Sequence, residues 1–174
     1  MKMIDDLGPP LQLGILLQAL EKHAVEFIVI GGIAGLAHGS SYPTYDLDVV
    51  YAREAPNLKR LAAALRELGV RLRGAPEDLP FQVDAETLAN GSNFTFTTEF
   101  GHFDILGEVD GVRDYESLRA TAETERLEGV TVRIASIDHM ISMKRAANRP
   151  KDQLMLEEYL VIADEQRRQE EGGG

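Results

Sequence analysis

The chain has 174 residues, a formal net charge of −11, no cysteine and a hydrophobic fraction of 44%. That composition suits a globular chain with one core, and it excludes a disulfide framework, a thiolate nucleophile and a surface that coats nucleic acid through Lys and Arg. No apolar run approaches the roughly 20 residues of a membrane-spanning helix, and the start "MKMIDDLGPPLQ" lacks the basic and apolar regions of a signal peptide, so the cytoplasm is the expected location.

Apolar residues at helical spacing over 11–24 predict an amphipathic helix. "EFIVI" follows as a short buried strand, stopped by Gly31 and Gly32, and "IAGLAHG" fits two turns of helix ended by Gly39. Pro43 holds the loop "SSYPTY" extended at Tyr42, and "DLDVVY" is a second strand. In "APNLKRLAAALRELG" the stripe Leu58, Leu61, Ala62, Leu65 and Leu68 predicts a helix closed by Gly69. "FTFTTEFGHFDIL" reads as a hairpin turning near Glu99 to Gly101, and "GVTVRIA" as a further strand. Residues 136–168 read as two helices broken at Pro150, with Ser136 as N-cap of the first. The expectation is a single α+β domain over 1–174: a small mixed β-sheet with flanking helices and a helical C-terminal end. Its core covers about 11–165, and 166–174 is a flexible tail.

Residues two apart on a strand face the same way, so Asp46 and Asp48 project together while Leu47 and Val49 face the core. Two carboxylates on one face repel and call for a cation. Mg²⁺ is hard, takes oxygen ligands, and commonly binds one or two carboxylates together with substrate phosphates. Glycines between strand and helix let a phosphate approach the backbone, where free N–H groups await it. Phosphate cradle and metal site in one unit point to a nucleoside triphosphate. Lys144, Arg145, Arg149 and Lys151 form a basic patch in an otherwise acidic chain.

"GGIAGLAHGSSYPTYDLDV" resembles the signature of the nucleotidyltransferase superfamily typified by DNA polymerase β: Gly-Gly or Gly-Ser, a gap of about this length, then Asp-hydrophobic-Asp. "ASIDHMISMKRAANRPKDQLMLEEYL" is similar to the helical region of small bacterial nucleotidyltransferase-like proteins, including the type related to AbiEii toxins. The resemblance spans residues 25–51 and 92–162, and implies that Gly31 and Gly32 hold the triphosphate while Asp46 and Asp48 bind metal ions. The family adds a third carboxylate from a neighbouring strand; Asp104 in "HFDIL" is the candidate, with Asp84 and Asp110 as competitors. Two Mg²⁺ ions, with Mn²⁺ as the alternative, would then serve an in-line displacement at the α-phosphorus. Asp104 would also take or orient the acceptor's proton, Thr44 would line the nucleotide site, and Lys144 or Lys151 would neutralise the β- and γ-phosphates. The chain departs from the family where Tyr42 stands in place of a usual Arg, a contact that Arg149 could supply.

The implied activity is metal-dependent transfer of a nucleoside monophosphate from a nucleoside triphosphate to a hydroxyl, with release of pyrophosphate. The acceptor is left open among a small molecule such as an aminoglycoside or lincosamide, a protein, and, less favoured for so acidic a chain, RNA. The rival reading keeps the fold as a weak or inactive binding module, one half of a toxin–antitoxin pair. A dinucleotide site is disfavoured: "GGIAGLAHG" is not G-x-G-x-x-G, its helix is short, and Pro43 follows too early for a long crossover. His102 shares the face of Asp104, and His38 reads as a packing or capping residue.

Overall fold

The computed structural model describes residues 7–79 and 81–173; the acidic start at residues 1–6 lies outside the described residues. Helix α1 (Leu13–Lys22) leads into β1 (Phe27–Ile30), α2 (Gly31–Ala37), β2 (Asp46–Tyr51) and α3 (Ala55–Glu67). Then come β3 (Arg71–Leu72), α4 (Ala85–Asn90), β4 (Phe94–Thr98), β5 (Gly101–Leu106) and α5 (Tyr115–Thr121). The hairpin β6 (Glu123–Leu127) and β7 (Val130–Ile134), α6 (Ile137–Ala147), a 3₁₀ turn (Pro150–Asp152) and α7 (Gln153–Gly172) complete the order. The class is α+β, as the sequence predicts. The strands form one mixed sheet in the order β3-β4-β5-β2-β1-β7-β6. Within it β2 runs parallel to β5, β1 runs parallel to β7, and the remaining pairs are antiparallel.

Register sorts the central strands into two unlike faces. Val29, Val49, Ile105 and Phe94 lie in one cross-strand row, and Leu47, Phe103 and Phe96 in the next. This is the apolar face, and it belongs to one continuous core with the buried leucines of α1 and α3. The other face carries the intervening residues: Ile30, Asp48, Asp104 and Thr95 in one row, Asp46, His102 and Thr97 in another. A sheet whose centre is apolar on one side and acidic on the other has its core and its chemistry separated by the thickness of a single strand.

Several elements have little sequence signal. Strand β6, "ETERL", is mostly exposed and lacks apolar alternation. It forms because Glu128 and Gly129, both at positive φ, close a two-residue turn onto β7. The short helices α4 and α5 bury one leucine each, and their beginnings are marked by Asp84 and Asp114, which accept from the N–H of Thr87 and Ser117. Helix α2 begins at Gly31 rather than at Ile33, so the glycine pair is the first turn of the helix. Helix α7 continues to Gly172, and within that stretch Gln166 hydrogen-bonds His38 Nδ1 at 3.0 Å. Among the described residues no helix is long and apolar enough to cross a membrane.

Candidate active site

The site begins where β1 ends. Gly31 has φ +66, in the left-handed region that a Cβ strains, and a Cβ built there would lie 2.3 Å from Asp48 Oδ2. A Cβ on Gly32 would lie 2.5 Å from Thr44 Cβ and Oγ1. The glycine pair therefore rests directly on the second aspartate and on the loop before it. That loop is tied down from α7: Glu158 accepts from Ser41 N at 3.1 Å and from Ser41 Oγ at 2.6 Å. Thr44 Oγ1 in turn donates to the Asp46 carbonyl at 3.3 Å.

Asp46 and Asp48 share one face of β2, and the parallel pairing with β5 sets Asp104 beside Asp48 and His102 beside Asp46. Neighbouring strands run about 4.8 Å apart, so the three carboxylates crowd together. Neither competitor for the third position is here: Asp84 caps α4, and Asp110 lies in the turn before Gly111. His102 is buried, with Nδ1 3.6 Å from Asp46 Oδ1, and Gly8 packs against its ring.

Crowding and burial set the electrostatics. Burial first, then the charges of Asp104 and Asp46, push Asp48 from the ordinary 3.8 to about 7. Asp104 is raised by burial too, but a cation opposes the rise there. That cation is Arg73, which follows β3; its Nη2 donates to Asp104 Oδ1 at 2.5 Å and to the Phe96 carbonyl at 2.8 Å. The arginine backbone pairs with Thr95, so it joins the row Thr95, Asp104, Asp48 across the sheet. Sequence reasoning missed Arg73; the only local trace is the alternation of Arg71 and Arg73 between two glycines.

Because the folded chain keeps on Asp48 a proton that the unfolded chain releases near pH 4, folding binds protons between about 4 and 7. The metal-free protein should therefore lose stability as pH rises through that window, by at most about 1.4 kcal/mol per pH unit, and change little above it. Urea midpoints in EDTA across this range, for the wild type against Asp48→Asn, isolate the contribution of this group. Equal slopes for the two proteins would refute it.

The basic patch is built differently from a row of free cations. Lys144 Nζ donates to Asp152 Oδ1 at 3.0 Å, and Arg149 Nε to Asp152 Oδ2 at 2.7 Å. Burial raises the Asp152 carboxyl, but these bonds outweigh it and hold the group below the usual range. Lys144 and Lys151 do not share a helix face, since Asn148 turns left-handed after α6 and Pro150 opens the 3₁₀ turn; Lys151 is exposed there. Tyr159 links this clamp to the glycine helix: its hydroxyl feels the charge of Asp152 and abuts Gly35, where a Cβ would lie 2.6 Å away. His38 is structural, its Nε2 bound to the Ala135 carbonyl at 2.7 Å.

Two residues further along the same strands, Val50 and Leu106 occupy the face of Asp48 and Asp104 and floor a cavity of about 800 Å³. Met143 of α6 and the 107–114 segment, which Ser142 Oγ holds by Gly111, form its walls.

The donors of the three carboxylates suit a hard divalent cation, and the lack of a Cβ at Gly31 keeps a side chain off Asp48 Oδ2. They are not arranged as a finished cage: among the described residues no three His, Cys, Asp or Glu groups form a metal-ligand cluster.

No family model matches the chain, and no curated protein matches it. Its fold is found among solved structures. The lincosamide antibiotic adenylyltransferase LnuA with lincomycin bound superposes with a TM-score of 0.57 at 12% identity, over 88% of this chain and 99% of that one. The antibiotic-resistance factor ANT(2'')-Ia in solution gives 0.53 at 17% identity, over 87% and 80%. The same protein in complex with adenylyl-2''-tobramycin gives 0.53 at 17%, over 86% and 84%. The chain thus shares the fold of LnuA and ANT(2'')-Ia, as the glycine and aspartate motif leads one to expect.

Proposed function

We propose that this protein transfers a nucleoside monophosphate from a nucleoside triphosphate to the hydroxyl of a small-molecule acceptor, in a metal-dependent reaction that releases pyrophosphate. The observation that carries the reading is the convergence of Asp46, Asp48 and Asp104 on one sheet face, directly against the glycine pair. Asp46, Asp48 and Asp104 would hold two Mg²⁺ or Mn²⁺ ions, whose charge would draw the attacking and leaving oxygens into line. Gly31 and Gly32 would admit the triphosphate to backbone N–H groups that have no partner within the helix. Asp104 would take the proton of the acceptor hydroxyl as its oxygen bonds to the α-phosphorus and the bond to pyrophosphate breaks. Thr44 and the cations Lys144, Arg149 and Lys151 would act on the nucleotide, the first two cations only by loosening their bonds to Asp152.

The acceptor would sit in the cavity floored by Val50 and Leu106. Two strand residues place it about 7 Å from the carboxylate pair, and its volume, about 800 Å³, is that of a small-molecule site. LnuA with lincomycin and ANT(2'')-Ia with adenylyl-2''-tobramycin, both on this fold, support an acceptor of that size.

A thermal-shift titration with each of the four ribonucleoside triphosphates, with and without Mg²⁺, tests the reading. At a hundredfold excess over the dissociation constant, binding to the folded state adds about 2.7 kcal/mol. A Mg²⁺-dependent rise is expected for at least one nucleotide. No shift with any of them would favour the partner-binding module instead.

A further inference from the structure

We infer that Arg73 is a resident countercharge which occupies the third carboxylate in the free protein and must give up Asp104 before a divalent cation can use it. The inference rests on the metal-dependent reading above. Three carboxylates face one another across β2 and β5, and the guanidinium is the cation bonded to the third of them. Arginine keeps its charge at any working pH, so it cannot leave Asp104 by losing a proton.

The hydrogen bonds give it two positions. Nη2 spans Asp104 Oδ1 at 2.5 Å and the Phe96 carbonyl at 2.8 Å, and the backbone N–H is fixed to Thr95. Loss of the carboxylate leaves the Phe96 carbonyl still accepting, so Arg73 keeps that hydrogen bond when it lets go of Asp104. A cation alone must break the bond to Asp104 and sit close to a positive charge. A cation bound to a triphosphate brings further oxygen ligands and negative charge that offsets the repulsion between the metal and the guanidinium. The arrangement therefore keeps free divalent ions out of the site and admits them together with the nucleotide.

Mn²⁺ binding followed by electron paramagnetic resonance, without nucleotide, tests this on the intact chain and on Arg73→Gln, which removes the charge and keeps a polar side chain. The variant should bind free Mn²⁺ about tenfold more tightly, as removal of one nearby like charge in a partly buried site requires. Arg73→Lys, which keeps the charge, should remain near the wild type. Equal or weaker Mn²⁺ binding by Arg73→Gln would overturn the inference while leaving the metal-dependent reading intact. No Mn²⁺ binding by any of the proteins, with or without nucleotide, would overturn both. Should Arg73→Gln fail to fold, nitrogen-15 spectra of the wild-type guanidinium decide instead. The Arg73 resonance should shift as Mg²⁺ and nucleotide saturate the site, and a resonance indifferent to them would overturn the inference.

Discussion

Asp48→Asn is expected to abolish Mg²⁺-dependent nucleotide binding and to lower any transfer activity by about a thousandfold or more, the scale on which removing a group that stabilises transition-state charge acts. The same change should leave the fold intact and raise the stability of the metal-free protein near pH 8. The reason is that Asp48 is the most strongly perturbed of the carboxylates, held at about 7 by burial and by the charges of Asp104 and Asp46. Asparagine fills the same space without adding to that repulsion. Isothermal titration with nucleotide and Mg²⁺, paired with a denaturation curve in EDTA, separates the two effects. Full nucleotide binding by Asp48→Asn would remove the metal-site assignment. Lost binding with lost stability would make Asp48 a structural residue.

Gly31→Ala is the second large effect. The backbone there is left-handed, and a non-glycine residue in that region costs roughly 1–3 kcal/mol. The new Cβ would also lie 2.3 Å from Asp48 Oδ2, so the carboxylate must swing aside. Nucleotide binding should therefore fall together with stability, whereas Gly39→Ala, also at positive φ but in open space, should cost stability alone. Equal nucleotide binding by the two variants would show that Gly31 serves the turn and not the site.

What could be read from the sequence was what lies close together along it. Gly31, Gly32, Asp46 and Asp48 fall within one strand-helix-loop-strand unit, and the step between glycines and aspartates survives folding almost unchanged. Asp104 was identifiable as a strand residue from the alternation in "HFDIL", but its place opposite Asp48 follows from a parallel pairing that no local pattern encodes. Arg73 was invisible because its meaning comes from a row of residues crossing β3, β4, β5 and β2. The clamp on Asp152 was hidden for a related reason. It depends on the left-handed Asn148, which folds the end of α6 back so that Lys144 and Arg149 meet one carboxylate. Strand β6 escaped because pairing alone, without burial, makes "ETERL" a strand.

The parallel contact between β2 and β5 also bears on how the molecule is assembled. These two strands are neighbours at the middle of the sheet, yet two helices, a two-residue strand and a whole further strand are synthesised between them. Bringing them together requires a long loop to close before any of its contacts are rewarded, which places this pairing late and makes it slow. A partly folded chain can therefore own the glycine turn and two of the aspartates, but not the third. If the three carboxylates bind divalent ions as proposed, those ions should act on the last step of folding and on the lifetime of the finished fold rather than on its nucleation.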